Sequence, residues 1–128
     1  MSKTRFYITS KPNNRTWGSE GKPAVFEIFR LGSTKTASQI RFFTSEVKDS
    51  WRRAKTGKDF DGRDEIIHFR PGQKEAFVYV NTRRNGKSQP RELFAANIKK
   101  VNKNDQLYEF VQNIFGNLFI VLFIITGL

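Results

Sequence analysis

The sequence predicts an all-β protein, an antiparallel β-sandwich that ends in a short amphipathic helix and an apolar terminal segment. Three observations carry this. Short runs with period-two alternation recur between residues 5 and 98, Gly- and Pro-bearing breakers separate them, and 13 Phe within 38% hydrophobic content supply a core. A chain of 128 residues allows one domain of ordinary size.

The elements follow in order. Arg5-Phe6-Tyr7-Ile8-Thr9 is a strand of aromatic and β-branched residues. Residues 24–30 place Ala24, Phe26 and Ile28 on one face, and residues 38–44 turn Ile40 and Phe42 inward and Gln39 and Arg41 outward. Residues 66–69, 76–80 and 93–98 complete the series. Between them lie Pro12-Asn13-Asn14, Gly21-Lys22-Pro23, Leu31-Gly32-Ser33, Lys55-Thr56-Gly57, Pro71-Gly72 and Asn85-Gly86. Strands this short between such turns stack as two antiparallel sheets.

The tail reads differently. Leu107, Phe110, Val111, Ile114 and Phe115 keep helical spacing, which predicts an amphipathic helix over 105–115, capped by Asn104 and ended by Gly116-Asn117. Leu118, Phe119, Ile120, Val121, Leu122, Phe123, Ile124 and Ile125 then run without a polar residue. This octet is expected to be the last strand of the sandwich, apolar on both faces and docked on the helix or on another chain. The competing expectation is a membrane anchor over 110–128, although Gln112, Asn113 and Asn117 interrupt its first half. The expected division is a sandwich body, 1–103, and an apolar tail, 104–128.

Composition excludes much chemistry. No cysteine is present, so disulfides, thiolate zinc sites, iron–sulfur clusters and thiol catalysis are out. His68 is the lone histidine, which removes multi-His metal sites and argues against a Ser-His-Asp triad. Gly86-Lys87-Ser88 lacks the earlier glycine of a phosphate-binding loop, because position 81 is Asn. Residues 1–11 hold no apolar run, so no signal peptide is expected. No catalytic residue and no cofactor is predicted.

Three further stretches carry a family resemblance. Phe26-Glu27-Ile28-Phe29-Arg30-Leu31-Gly32, Ala54-Lys55-Thr56-Gly57-Lys58-Asp59-Phe60 and Phe69-Arg70-Pro71-Gly72-Gln73 occur in that order. They resemble the R-x-G, A-x-x-G-x-D-[FY] and F-x-P-G elements of the Calx-β domain. The resemblance covers about residues 24–100 and implies an immunoglobulin-like sandwich. In exchangers that domain binds calcium through carboxylates at one end. Asp59 matches the motif Asp, and Asp61, Asp64 and Glu65 follow it as weak candidate ligands. The second acidic cluster of the family is replaced by Asn81-Thr82-Arg83-Arg84-Asn85, whose guanidinium groups would repel a divalent cation. The expectation is a sandwich without a metal site.

Lys and Arg number 23 against 12 Asp and Glu, a net charge of +11. Trp51, Arg52 and Arg53, together with Arg83, Arg84 and Lys87, are predicted to form a basic docking face for an acidic protein surface. These readings give a structural or attachment module of a large assembly, with other protein subunits as partners and a homo-oligomer allowed. The setting expected is a virion accessory protein (decoration, minor capsid or tail), located in the virion or the cytoplasm. A tail-anchored membrane protein and a basic nucleic-acid-binding module are the alternatives, with nucleic acid the less favoured partner.

Overall fold

Period-two alternation becomes ten strands in the computed structural model, which describes residues 4–11, 17–47, 53–84, 92–107, 114–115 and 118–126. They are β1 (Arg5–Lys11), β2 (Trp17–Ser19), β3 (Ala24–Leu31), β4 (Ser38–Glu46), β5 (Asp64–Phe69), β6 (Glu75–Val80), β7 (Glu92–Lys100), β8 (Gln106–Leu107), β9 (Ile114–Phe115) and β10 (Leu118–Thr126). One sheet has the order β6-β3-β1-β8; the other runs β2-β10-β7-β4-β5, with β9 also on β10. The six strands expected in the body are all present. The three shortest strands, β2, β8 and β9, were not foreseen, because two or three residues carry no readable period.

The core lies between the sheets. Phe6, Ile8, Phe26 and Ile28 come from the first sheet, and Ile40, Phe42, Phe94, Ala96 and Ile98 from the second. Each is at most 2% exposed, so each large side chain contributes about 1.5–3 kcal/mol of transfer free energy. Phe94 spans the layers, edge-on to Phe26 at 6.2 Å and stacked on Phe60 at 4.6 Å.

Arg30 occupies the inward row of β3 after Ala24, Phe26 and Ile28, and is 2% exposed. Its Nη1 donates to the Arg70 carbonyl at 3.3 Å and its Nη2 to the Thr36 carbonyl. One guanidinium thus ties the β3–β4 loop to the β5–β6 turn, which is the physical content of the R-x-G stretch. Gly32, with φ of 77°, supplies the left-handed residue that turns the chain after it.

The tail joins both sheets. β10 pairs antiparallel with β7 from Leu118 opposite Lys99 to Ile125 opposite Glu92, and parallel with β2. β8 pairs parallel with β1. The expected 105–115 helix is corrected at both ends, where Gln106–Leu107 and Ile114–Phe115 are strands; positions 108–113 lie outside the described residues. The open edge of β1 and the flank of β10 offer these two-residue ends ready backbone partners. Asp105, the first residue of the expected helix, accepts hydrogen bonds from Ser38 Oγ and Asn102 Nδ2.

Two outcomes test this packing. Arg30→Ala should cost about 3 kcal/mol in urea unfolding, and Arg30→Lys a smaller part of it, because one ammonium cannot serve both carbonyls. Deleting residues 118–128 bares a full edge of β7, so the truncated chain should aggregate or lose its cooperative melt in calorimetry.

Candidate functional site

Three connections meet at one end of the sandwich: the turn before β3, the 53–61 segment between β4 and β5, and residues 81–84 after β6. Backbone bonds lock them together. Asp61 N–H donates to the Asn81 carbonyl and Arg83 N–H to the Asp59 carbonyl, both at 2.8 Å. Thr82 Oγ1 donates to the Lys22 carbonyl at 2.7 Å. Phe60, 0% exposed, is the apolar anchor that fixes its neighbours Asp59 and Asp61 at this rim.

Asp59 is 6% exposed and closes its own turn. Its Oδ2 accepts the Lys55 N–H at 2.8 Å, while its N–H returns to the Lys55 carbonyl at 2.9 Å. Gly57, with φ of 84°, makes that turn possible. Glu92, the first residue of β7, shares a hydrogen bond with Asp59. Burial first, then that bond and the like charges of Asp59 and Glu20, push the Glu92 carboxyl up from its ordinary 4.5 to about 7, against the pull of Lys58. Glu20 is 6% exposed on the turn before β3. Asp61 is claimed by Arg83, whose Nε donates to Oδ1 at 2.6 Å. Arg84 stands beside the next loop, its Nε 3.7 Å from where a Cβ on Gly21 would lie.

The other candidate carboxylates have arginine partners of their own. Asp64 takes a bidentate pair from Arg41, 2.9 and 2.7 Å long, which holds its carboxyl below the usual range. Arg41 also lies 4.2 Å above the Phe43 ring. Glu65 accepts Arg63 Nη2 at 2.7 and 2.8 Å. Asp59 and Asp61 are therefore held together and Asp64 is not. Of the basic face, Arg53, Arg83 and Arg84 are placed; Trp51, Arg52 and Lys87 lie outside the described residues. Two of the placed cations are internally paired, Arg53 with Glu46 at 3.5 Å and Arg83 with Asp61. The octet 118–125 is placed by its backbone register alone.

Sequence reasoning missed Glu20 and Glu92. Each flanks a strand next to a breaker, and nothing local distinguishes them from solvated glutamates. Among the described residues, no group of three or more His, Asp or Glu is gathered closely enough to hold a metal ion. No helix among them is long and apolar enough to cross a membrane.

The folded-state shift of Glu92 has a definite sign. A carboxyl raised by folding stabilises the native state below its unfolded value and loses that contribution as pH rises through its folded value. Stability from this group should therefore fall between about pH 4.5 and 7. Glu92→Gln should flatten that part of the profile and melt above the parent at pH 8, with little difference at pH 4.5, in a melting series across this range.

No family model and no curated protein matches the chain. Solved structures do. The apo-form Calx CBD1 domain superimposes with a TM-score of 0.74 at 17% identity, covering 97% of this chain and 96% of that one. CBD12 from CALX1.2 also gives 0.74 at 17% identity, over 94% of this chain and 44% of that longer one. The Calx CBD2 domain gives 0.62 at 11% identity, over 92% and 84%. The protein has a Calx-β-like, immunoglobulin-type sandwich fold.

Proposed function

We propose that this chain is a divergent Calx-β domain without a metal, acting as a non-enzymatic structural or attachment module in a large assembly of the virion-accessory kind. The observation that carries the reading is the Arg83–Asp61 pair at 2.6 Å. Domains of this fold include the calcium binding domain CBD12 of CALX1.1. The donor set here does not fit that ion. Calcium takes six to eight oxygen ligands. Asp61 is held by a guanidinium, Asp59 accepts the Lys55 amide, and Glu92 shares a hydrogen bond with Asp59. Arg83 ties the 81–84 segment to Asp61 through a guanidinium.

A domain that keeps its fold without an ion is left with its surfaces. Phe77 and Tyr79 are 51% and 52% exposed on the outward row of β6, the end strand of its sheet among the described residues. Large half-exposed aromatics on a sheet edge are the side chains that anchor protein interfaces.

Calcium titration tests the reading. A site with micromolar affinity would add about 4 kcal/mol at a thousandfold excess of ligand. The melting temperature should stay unchanged with millimolar calcium in both the parent and Arg83→Ala. A rise of several degrees in the parent would overturn the proposal.

A further inference from the structure

The far end of the sandwich, away from Arg83, holds a cavity of about 290 Å³. The β3–β4 loop, the β5–β6 turn and the segment after β7 form it. Ser38 pairs with Phe69 across β4 and β5, the Gly72 N–H donates to the Thr34 carbonyl at 2.7 Å, and Asn102 Nδ2 donates to Ser38 Oγ at 3.0 Å. The polar part of its lining is Ser38, Gln39, His68, Arg70 and Asn102. Four of those five carry a nitrogen able to donate a hydrogen bond, and none carries a carboxylate.

The surroundings are cationic. Residues 4–5, 30–38, 68–75 and 99–106 make up this end, and they contain eight Lys and Arg against two carboxylates, Glu75 and Asp105. Arg30 lies behind the Arg70 backbone, 2% exposed, bonded to two carbonyls and with its Nε unpartnered. Asp105 is the carboxylate whose charge offsets Arg30, and it already accepts from Ser38 and Asn102. That leaves the end with a net positive field, focused where the surface is concave.

We propose that this cavity binds a small phosphate-bearing molecule, its phosphate held by the Arg70 guanidinium, the His68 imidazole and the Gln39 amide. Each feature serves that chemistry. A guanidinium meets two phosphate oxygens at once, and amide and imidazole N–H groups supply further donors. The Arg70 backbone is held independently of its side chain. Its N–H donates to Gln73 Oε1 at 2.9 Å and its carbonyl accepts from Arg30. The guanidinium can therefore be removed without loosening the turn. The volume admits a small phosphorylated compound.

His68 is the one histidine of the chain, so its ring protons give a single resolved NMR signal that reports on the cavity. Inorganic phosphate is titrated into the whole protein at constant ionic strength, with chloride as the balancing anion, and a sugar phosphate is titrated in parallel. The expected result is a saturating shift of the His68 signal with a dissociation constant of about 1 mM or below. Arg70→Gln should weaken binding by about tenfold or more and leave the phosphate-free melting temperature unchanged. His68→Asn, followed by the phosphate-induced rise in melting temperature, should weaken binding too. Tighter binding of the sugar phosphate identifies an organic ligand; equal binding identifies phosphate itself. A shift that stays linear to about 50 mM phosphate, or equal affinity in Arg70→Gln, would overturn the site. So would a response confined to a single-stranded oligonucleotide and lost steeply with salt, since that is diffuse attraction to a +11 surface.

Discussion

The rest of the molecule depends on how Phe94 is packed. Its ring meets Phe26 across the layers and stacks on Phe60 at 4.6 Å. The first contact holds the two sheets face to face. The second adds an apolar anchor to the bridges and backbone bonds that hold the 53–61 segment against the sandwich. Asp59 and Asp61 flank Phe60, so the carboxylate positions follow from an apolar contact that costs no charge. β7, which carries Phe94, pairs with β4 on one side and β10 on the other, and it opens at Glu92 beside Asp59. The strand at the centre of the core thus also reaches the rim.

Both ends of the sandwich use a guanidinium as an internal tie, in different dielectric surroundings. At the rim, Arg83 and Asp61 are more than a third exposed, so their pairing contributes little stability and serves mainly to set loop geometry. At the far end Arg30 is buried with carbonyl partners, and burial lowers its pKa against the field of Asp105. An ion taken out of water must be compensated by fixed dipoles, and the Arg70 and Thr36 carbonyls supply them. The two loops that offer those carbonyls are therefore pinned more firmly than their length would suggest.

Surface charge behaves in the same divided way. Cations facing carboxylates across a pair of strands, such as Arg41 with Asp64, are neutralised locally. Those on the β3–β4, β5–β6 and β7–β8 connections have few acids to meet, and the far end keeps most of its positive field. A net +11 in the composition becomes one end where Arg53 and Arg83 are internally paired and one with a cavity that carries donors in its lining.

The strands of the body were legible because side-chain alternation is a local property. Phe26 and Ile28, or Ile40 and Phe42, face one way whatever they pair with. Turns at Gly57 and Gly72 were legible for a similar reason, since both adopt φ of 84° within a few residues of chain. The tail strand was legible as a β-forming octet, but its partner was not, because eight apolar residues fit a sheet or a bilayer equally well. The segment 105–115 was misread at its ends, where five apolar residues at helical spacing also suit short strands once an open edge is near. Asp59, Glu20 and Glu92 are far apart in sequence, and only the pairing of β4 with β7 and the stacking of the two sheets bring them to one rim. Asp64, five residues from Asp59, is drawn away to Arg41 because β5 begins there and turns it to the outer face. Local alternation and turn chemistry by themselves determined the elements; which loops share an end was decided by strand order, a property of contacts between distant residues.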